Sequence, residues 1–422
     1  MKYEEEYLNI LNEELKKAMG CTEPIAISFL ACTLRDLLGE MPRIVNIYVS
    51  GNILKNVKSV VVPNSGGLRG IRAAVSLGII GGVKELNLEC ISKVTDEQRI
   101  KAKEYMDNTP IKILSSEDGF IFDIQIVMHG KNNVAEGRIV DNHTNIVYLR
   151  KNNDVILKKD ISNSKKVSNL TDRSLLNVED IYRFAQEIQL DKVEELMETQ
   201  IRCNMEIANY GLTHNYGANI GLTLLKSYPS DVAIRAKAYA AAASDARMNG
   251  CEMPVVINSG SGNQGITCSI PVVIYAEELK VKREKLIRAL VVSNLLTTHF
   301  KSGIGRLSAF CGAVAAGCAA GAAISYLHGG GIKEISHTLI NSLAIVSGII
   351  CDGAKASCAA KIASSIDAGI LGFNLYRTGN RFYAGEGIVT QGVEETIKNV
   401  GIIASQGMLE TDKEIIQLMF RE

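Results

Sequence analysis

Four cysteines fall within one short part of the chain: Cys311, Cys318, Cys351 and Cys358, set in the segments AFCGAVAAGCAAG and GIICDGAKASCAAK. Thiols grouped among Gly and Ala suit a site where backbone approaches something bulky, and an iron–sulfur cluster is the chemistry they suggest. Cys311 and Cys318 are seven residues apart, as are Cys351 and Cys358. On a continuous helix that spacing is two turns and about 10 Å, too far for ligands of one compact cluster. Cys351 and Cys358 can converge only if Asp352–Ser357 is a loop, which Gly353 favours. The Cys311–Cys318 segment has no such break, so one of those two is expected to be a ligand. Three thiolates on a [4Fe–4S] cluster leave one iron without a protein ligand, a Lewis acid open to substrate. The competing reading of the same spacing is packed core cysteines.

Cys21 stands in Gly20-Cys21-Thr22-Glu23-Pro24, directly before a helix expected over Ile25–Leu38. Thr22 is the expected cap and Pro24 fits the first turn. The exposed N–H groups there are expected to favour a Cys21 thiolate. Two loops echo each other, one with Asn64, Ser65 and Gly66, the other with Asn258, Ser259, Gly260 and, further on, Asn263. Each follows an extended run and opens a helix, an arrangement that points donors at a carboxylate or phosphate. The triplet is also ordinary turn chemistry. His143, in DNHTN, either reaches the site from a sheet or occupies a surface turn. Arg69 and Lys301 are further candidates for a carboxylate.

The elements that must carry these residues divide in two. Residues 1–175 read as an α+β domain with a small antiparallel sheet, and residues 176–422 as a mostly all-α domain. Strands are expected at Arg43–Ser50, Phe120–Met128, Asn133–Val140 and Asn145–Arg150, with Thr95–Asp107 as a helix on the sheet. The polar stretch Lys158–Asp172 reads as the linker. Beyond it, helices are expected at Val178–Ile188, Val193–Asn209, Asp231–Met248, Pro271–Leu279, Arg283–Lys301, Leu307–Leu327, Ile332–Ile350 and Cys358–Asp367.

Lys+Arg and Asp+Glu balance at 46 each over 422 residues, so no global field draws in nucleic acid or an anionic membrane. The acidic, amphipathic N-terminus has no signal-peptide pattern, and ten cysteines without an export signal suggest a reducing cytoplasm. Ala309–Leu327 is uncharged but built of Ala, Gly, Cys and Ser, which suits a buried core helix better than a membrane span. Walker A and HExxH motifs are missing, and the GxGxxG-like fragments lack a βαβ unit.

Several motifs in order resemble the L-cysteine desulfidase family, whose C-terminal half is similar to the α chain of iron–sulfur L-serine dehydratases. They are GCTEP at Gly20–Pro24, VPNSGGLRG at Val62–Gly70, INSGSGNQG at Ile257–Gly265, KSGIGRLSAFCG at Lys301–Gly312 and GIICDGAKASC at Gly348–Cys358. The resemblance implies a lyase that converts L-cysteine to pyruvate, ammonia and hydrogen sulfide. It places the ligands of a [4Fe–4S] cluster at Cys311, Cys351 and Cys358, and proton chemistry at Cys21. A His-Thr pair recurs in the β part of serine dehydratases, which favours His143. No pyridoxal phosphate is implied, since iron activates the leaving group. The expected partner is a small amino acid, with no nucleic acid or membrane, and a homo-oligomer is left open. L-serine is the nearest rival substrate, and a non-catalytic cluster sensor is the rival of another class.

Overall fold

The computed structural model describes residues 3–116, 119–160, 170–305 and 308–420. The chain begins with helix α1 (Glu4–Glu14), strand β1 (Lys17–Met19) and helix α2 (Thr22–Leu38). β2 (Ile44–Val49), α3 (Gly51–Val57), α4 (Gly70–Gly81) and α5 (Asp96–Asn108) follow, then β3 (Ile111–Ser115), β4 (Asp123–His129), β5 (Val134–Val140), β6 (Ile146–Lys151) and β7 (Asp154–Lys158). The second half is helical: α6 (Val178–Glu187), α7 (Glu194–Thr213), α8 (Ile220–Ser227) and α9 (Val232–Met248), then the short strand β8 (Pro254–Val256). It ends with α10 (Gly262–Glu278), α11 (Arg283–Ile304), α12 (Gly312–Leu327), α13 (Ile332–Ile345), α14 (Cys358–Arg377), α15 (Val393–Ile402) and α16 (Leu409–Phe420). An α+β N-terminal part and a mostly helical C-terminal part are therefore present, as the residue patterns indicated.

The main sheet has six strands in the order β3-β2-β4-β5-β6-β7. All neighbours are antiparallel except β2 and β3, which run parallel. The sheet is thus mixed rather than purely antiparallel. β3 escapes a sequence reading because it is an edge strand with only Ile111 buried, so alternation is absent. β7 is likewise a short edge strand, mostly exposed.

The helix lying on the sheet is α2, not α5. Gly137 of β5 has only about 3 Å between an added Cβ position and Leu30 and Leu34 of α2. α4 packs on α2, and α5 packs on α4. α5 is nonetheless capped as its sequence demands, with Thr95 and Gln98 forming a reciprocal capping box.

Two features tie the halves together. β1 pairs antiparallel with β8, and Ile257 N–H extends the ladder to Lys16. α1 packs into the helical core through Tyr7, Ile10 and Leu11, so residues 3–18 belong physically with the second half. The stretch expected to link the halves, Lys158–Asp172, lies mostly outside the described residues. At the other end, α16 returns to α3, where Lys55 forms an ion pair with Asp412 and Ile416 packs on Gly51. Among the described residues no helix is long and apolar enough to cross a membrane.

Candidate active site

The cysteine segments are positioned by a close pairing of α12 and α14. A Cβ at Gly317 would stand 2.4 Å from the Ser365 carbonyl oxygen, and one at Gly321 2.4 Å from that of Gly369. These partners advance in step, so the two helices run parallel with their N-termini side by side. The small residues therefore make room for another helix rather than for a bulky ligand. Cys311 is the residue before α12, and Cys358 is the first residue of α14. Cys318 is buried inside α12, away from that end.

Cys351 is brought to Cys311 by a short backbone ladder. Cys311 N–H donates to Ile349 O (2.8 Å), and Cys351 N–H donates to Ala309 O (2.6 Å). The segment after Cys351 is a loop, as convergence requires. Gly353 has φ +96° and lies against the Lys55 carbonyl, so a side chain there is excluded twice over. Asp352 forms ion pairs with Lys355 and Lys361. Burial alone would raise its carboxyl, but hydrogen bonds from those two lysines hold it down at about 2. The interaction of the Cys311 and Cys351 side chains favours the thiolate at Cys351 against burial, with Lys55 and Lys301 also favouring it.

Cys311, Cys351 and Cys358 line one cavity of about 140 Å³ together with Cys21, more than 280 residues upstream. A single water needs only about 10–15 Å³ on that measure, so the space suits a multi-atom group. Among the described residues no three His, Cys, Asp or Glu side chains converge on one metal ion. Thiolates that bind different irons of a cluster need not share a point, and Cys311, Cys351 and Cys358, with the fourth lining thiol Cys21 engaged by Glu23, are a donor set that fits a [4Fe–4S] cluster. The first turns of α2, α10, α12 and α14 all contribute lining residues, and their dipoles favour negative charge in the cavity.

In the same cavity, Cys21 precedes α2 with extended backbone; Thr22 is the first helical residue rather than the cap. The expected low pKa is not found. Burial pushes the Cys21 thiol well up, and the Glu23 carboxylate beside it adds to the rise; Arg247 opposes both. Cys21 Sγ donates to Glu23 Oε2 at 2.9 Å, while Asn56 holds the other carboxylate oxygen at 3.2 Å. The helix terminus loses to a buried carboxylate at contact distance. At rest Cys21 is a thiol.

The two Asn-Ser-Gly loops have separate placements. Ser259, Gly260 and Asn263 line the cavity, and the Gly260 carbonyl accepts a bond from Thr22 Oγ (3.2 Å). Asn258 is buried behind them, donating to Asn294 Oδ1 at 3.0 Å. Asn64, Ser65 and Gly66 are not among the residues that line this cavity. Asn64 Nδ2 donates to the carbonyls of Ile91 (2.8 Å) and Val94 (3.0 Å), with Ser92 O a longer, shared acceptor at 3.3 Å, and Ser65 donates to Leu68 O. Arg69 is likewise directed elsewhere, to Ser59 O. His143 does reach the cavity from the turn between β5 and β6, stacked edge-on against Phe122 and 3.5 Å from the position of a Cβ on Gly260. Lys301 also lines it.

A model of the family described as serine dehydratase alpha chain matches residues 85–417. A UPF0597 protein of Desulfitobacterium hafniense is 54% identical over all of this chain and 98% of its own length. One from Treponema denticola is 46% identical, covering 99% of this chain and 98% of its own, and one from Finegoldia magna 45%, covering 99% of each. The chain belongs to the UPF0597 family. Its serine dehydratase α-chain region contains Cys311, Cys351, Cys358 and the second Asn-Ser-Gly loop, while Cys21, Glu23 and Lys55 precede it.

Four lining residues of this UPF0597 protein carry no motif signal of their own. Glu23 and Gln264 lie inside motifs read for other residues, Lys55 sits on a seven-residue helix, and Arg247 ends a helix read as alanine-rich packing. Arg247 is 3% exposed, and burial pulls its guanidinium below the ordinary value while Cys21, Glu23 and Cys358 pull it back.

Proposed function

We propose that this protein is a lyase that eliminates sulfide from L-cysteine, with Cys311, Cys351 and Cys358 holding a [4Fe–4S] cluster and Cys21 exchanging the Cα proton. The observation that carries the reading is the single cavity lined by those three thiols and by the Cys21–Glu23 pair. Membership of a serine dehydratase α-chain family supports β-elimination as the reaction class. When bound, such a cluster supplies a Lewis-acidic iron for the departing sulfur.

The chain's own residues do the rest. The thiol proton of Cys21 moves to Glu23 Oε2, to which it already donates, and the resulting thiolate takes the substrate Cα proton. Arg247 stabilises that thiolate by its charge. Loss of the Cα proton and of sulfide gives 2-aminoacrylate, the Glu23 proton passing to the departing sulfide, and the imine tautomer takes up one water to yield pyruvate and ammonia. The second Asn-Ser-Gly loop holds the Cys21 turn through Thr22 and the Gly260 carbonyl. His143 covers that loop from the sheet.

Replacing Cys21 by Ser tests the assignment. Iron content should stay at the wild-type level, while pyruvate release falls by at least about 100-fold, the scale of a lost general base. Turnover that survives the change removes Cys21 from the mechanism. L-serine is the second reading, favoured by the description of the matching family; parallel assays of sulfide and pyruvate from both amino acids separate the two.

A further inference from the structure

Arg247 is a buried cation with unsatisfied donors. It ends α9 at 3% exposure, between the Cys21–Glu23 pair and Cys358. One end of the guanidinium is fixed: Nη1 donates to Asn263 Oδ1 at 3.1 Å, with Met248 Sδ 3.9 Å away. Ser244 Oγ donates to the same Asn263 oxygen, at 3.2 Å. The other side is not used. Nε has no hydrogen-bond partner, and among the described residues no carboxylate forms an ion pair with Arg247. A buried guanidinium left this way is costly unless an anion arrives.

Gly262 packs its backbone against the unpartnered Nε, while Arg247 itself lines the cavity. A Cβ on Gly262 would lie 2.2 Å from Arg247 Nε, so any other residue there would displace the guanidinium. Close by along α10, Gln264 presents Oε1 into the same cavity, buried and without a partner. Asn52 Oδ1 on α3 is in the same condition. A planar fork of donors and two amide acceptors are complementary to the two ends of a zwitterion.

We infer that Arg247 is the anchor for the substrate's α-carboxylate, received on Nε and the neighbouring Nη, and that Gln264 Oε1 accepts from the α-ammonium. Asn263 is then a positioning residue, which aims the fork rather than touching substrate. The inference rests on the amino-acid lyase reading for the identity of the ligand, but its test needs no turnover. It also makes the site selective for an amino acid with a free carboxylate over its amide, ester or decarboxylated amine.

The probe is L-2-aminobutyrate, which replaces the cysteine thiol by a methyl group, against L-2-aminobutyramide. Both are titrated by calorimetry into the full-length, anaerobically purified protein. Wild type should bind the acid about 100-fold more tightly than the amide, the scale of a charge-assisted bidentate pair. Arg247→Gln should reduce that ratio to about threefold or less, Arg247→Lys should leave it intermediate, and Asn263→Ala should weaken the acid by about tenfold with the amide unchanged. Equal binding of acid and amide by wild type overturns the inference without any variant having to fold. So does a ratio unchanged in Arg247→Gln, including the case in which that variant loses iron, since Arg247 would then serve only as counter-charge to the thiolates. Failure of wild type to release sulfide from L-cysteine would remove the desulfidase reading while leaving these binding ratios to be judged on their own.

Discussion

The loops at Pro63–Gly70 and Ile257–Gly265 share an Asn-Ser-Gly triplet and meet the Cys21 turn from two sides, yet only the second opens to the cavity. In the first, Asn64 donates to carbonyls of the segment after α4, and Pro63 packs on Gly20. In the second, Asn258 is equally buried, but the residues after it turn outward at positive φ and reach the cavity before α10 begins. The triplet encodes a turn. What each turn does depends on which groups the rest of the fold leaves without partners.

That contrast can be broken most severely at Gly20, where the first loop meets the Cys21 turn. Gly20 has φ +51°, and a Cβ would lie 2.0 Å from the Pro63 ring. Gly20→Ala should cost about 2–4 kcal/mol in chemical denaturation, from overpacking and positive-φ strain together. It should also abolish turnover by displacing Cys21.

Removing the asparagines sharpens the comparison. Asn64→Ala removes two donated hydrogen bonds and should cost about 2–3 kcal/mol, with KM for the amino acid unchanged. Asn263→Ala should cost under about 2 kcal/mol and raise KM. Denaturation midpoints and steady-state kinetics on the two variants would show opposite patterns, and matching patterns would dissolve the distinction.

The loops also differ in their surroundings. On α9, next to Ser244, which donates to Asn263 of the second loop, burial pushes the Asp245 carboxyl up to about 6; Gly221 and Ile220 N–H groups of α8 only partly offset it. A carboxyl raised on folding binds its proton more tightly in the folded state, so this stability is present below about pH 4 and lost as pH rises through 6. Asp245→Asn should flatten the pH dependence of the denaturation midpoint between about 4 and 6, an effect of up to about 2 kcal/mol. The smallest effect is expected at Gly67, whose φ is +96° with nothing within 4 Å of an added Cβ. Gly67→Ala should cost about 1 kcal/mol and leave iron content and turnover untouched.

Much of this architecture was legible in the residues. The break at Gly353 and the helix after Cys21 followed from spacing and capping alone, because those are local constraints, whereas the choice of Cys311 over Cys318 needed the family resemblance. Pro271 misled: it reads as a helix start, yet it sits inside α10, which begins at Gly262. Other features depended on long-range neighbours. The Cys21 thiol is set by Glu23 and by burial rather than by its helix, and the role of Gly317 and Gly321 appears only when α14 lies against them. Arg247 has no local signature, since its significance is the lack of a partner, which only the packed structure defines.

The central claim is that one cavity, lined also by Cys21, holds a four-iron cluster on Cys311, Cys351 and Cys358. Anaerobic purification followed by iron and acid-labile sulfide analysis, on wild type and Cys351→Ser, tests it directly. The account predicts about four of each per wild-type chain and a large loss in the variant, with Cys318→Ser unaffected. Iron well below four in wild type, or a full complement retained in Cys351→Ser, would contradict it.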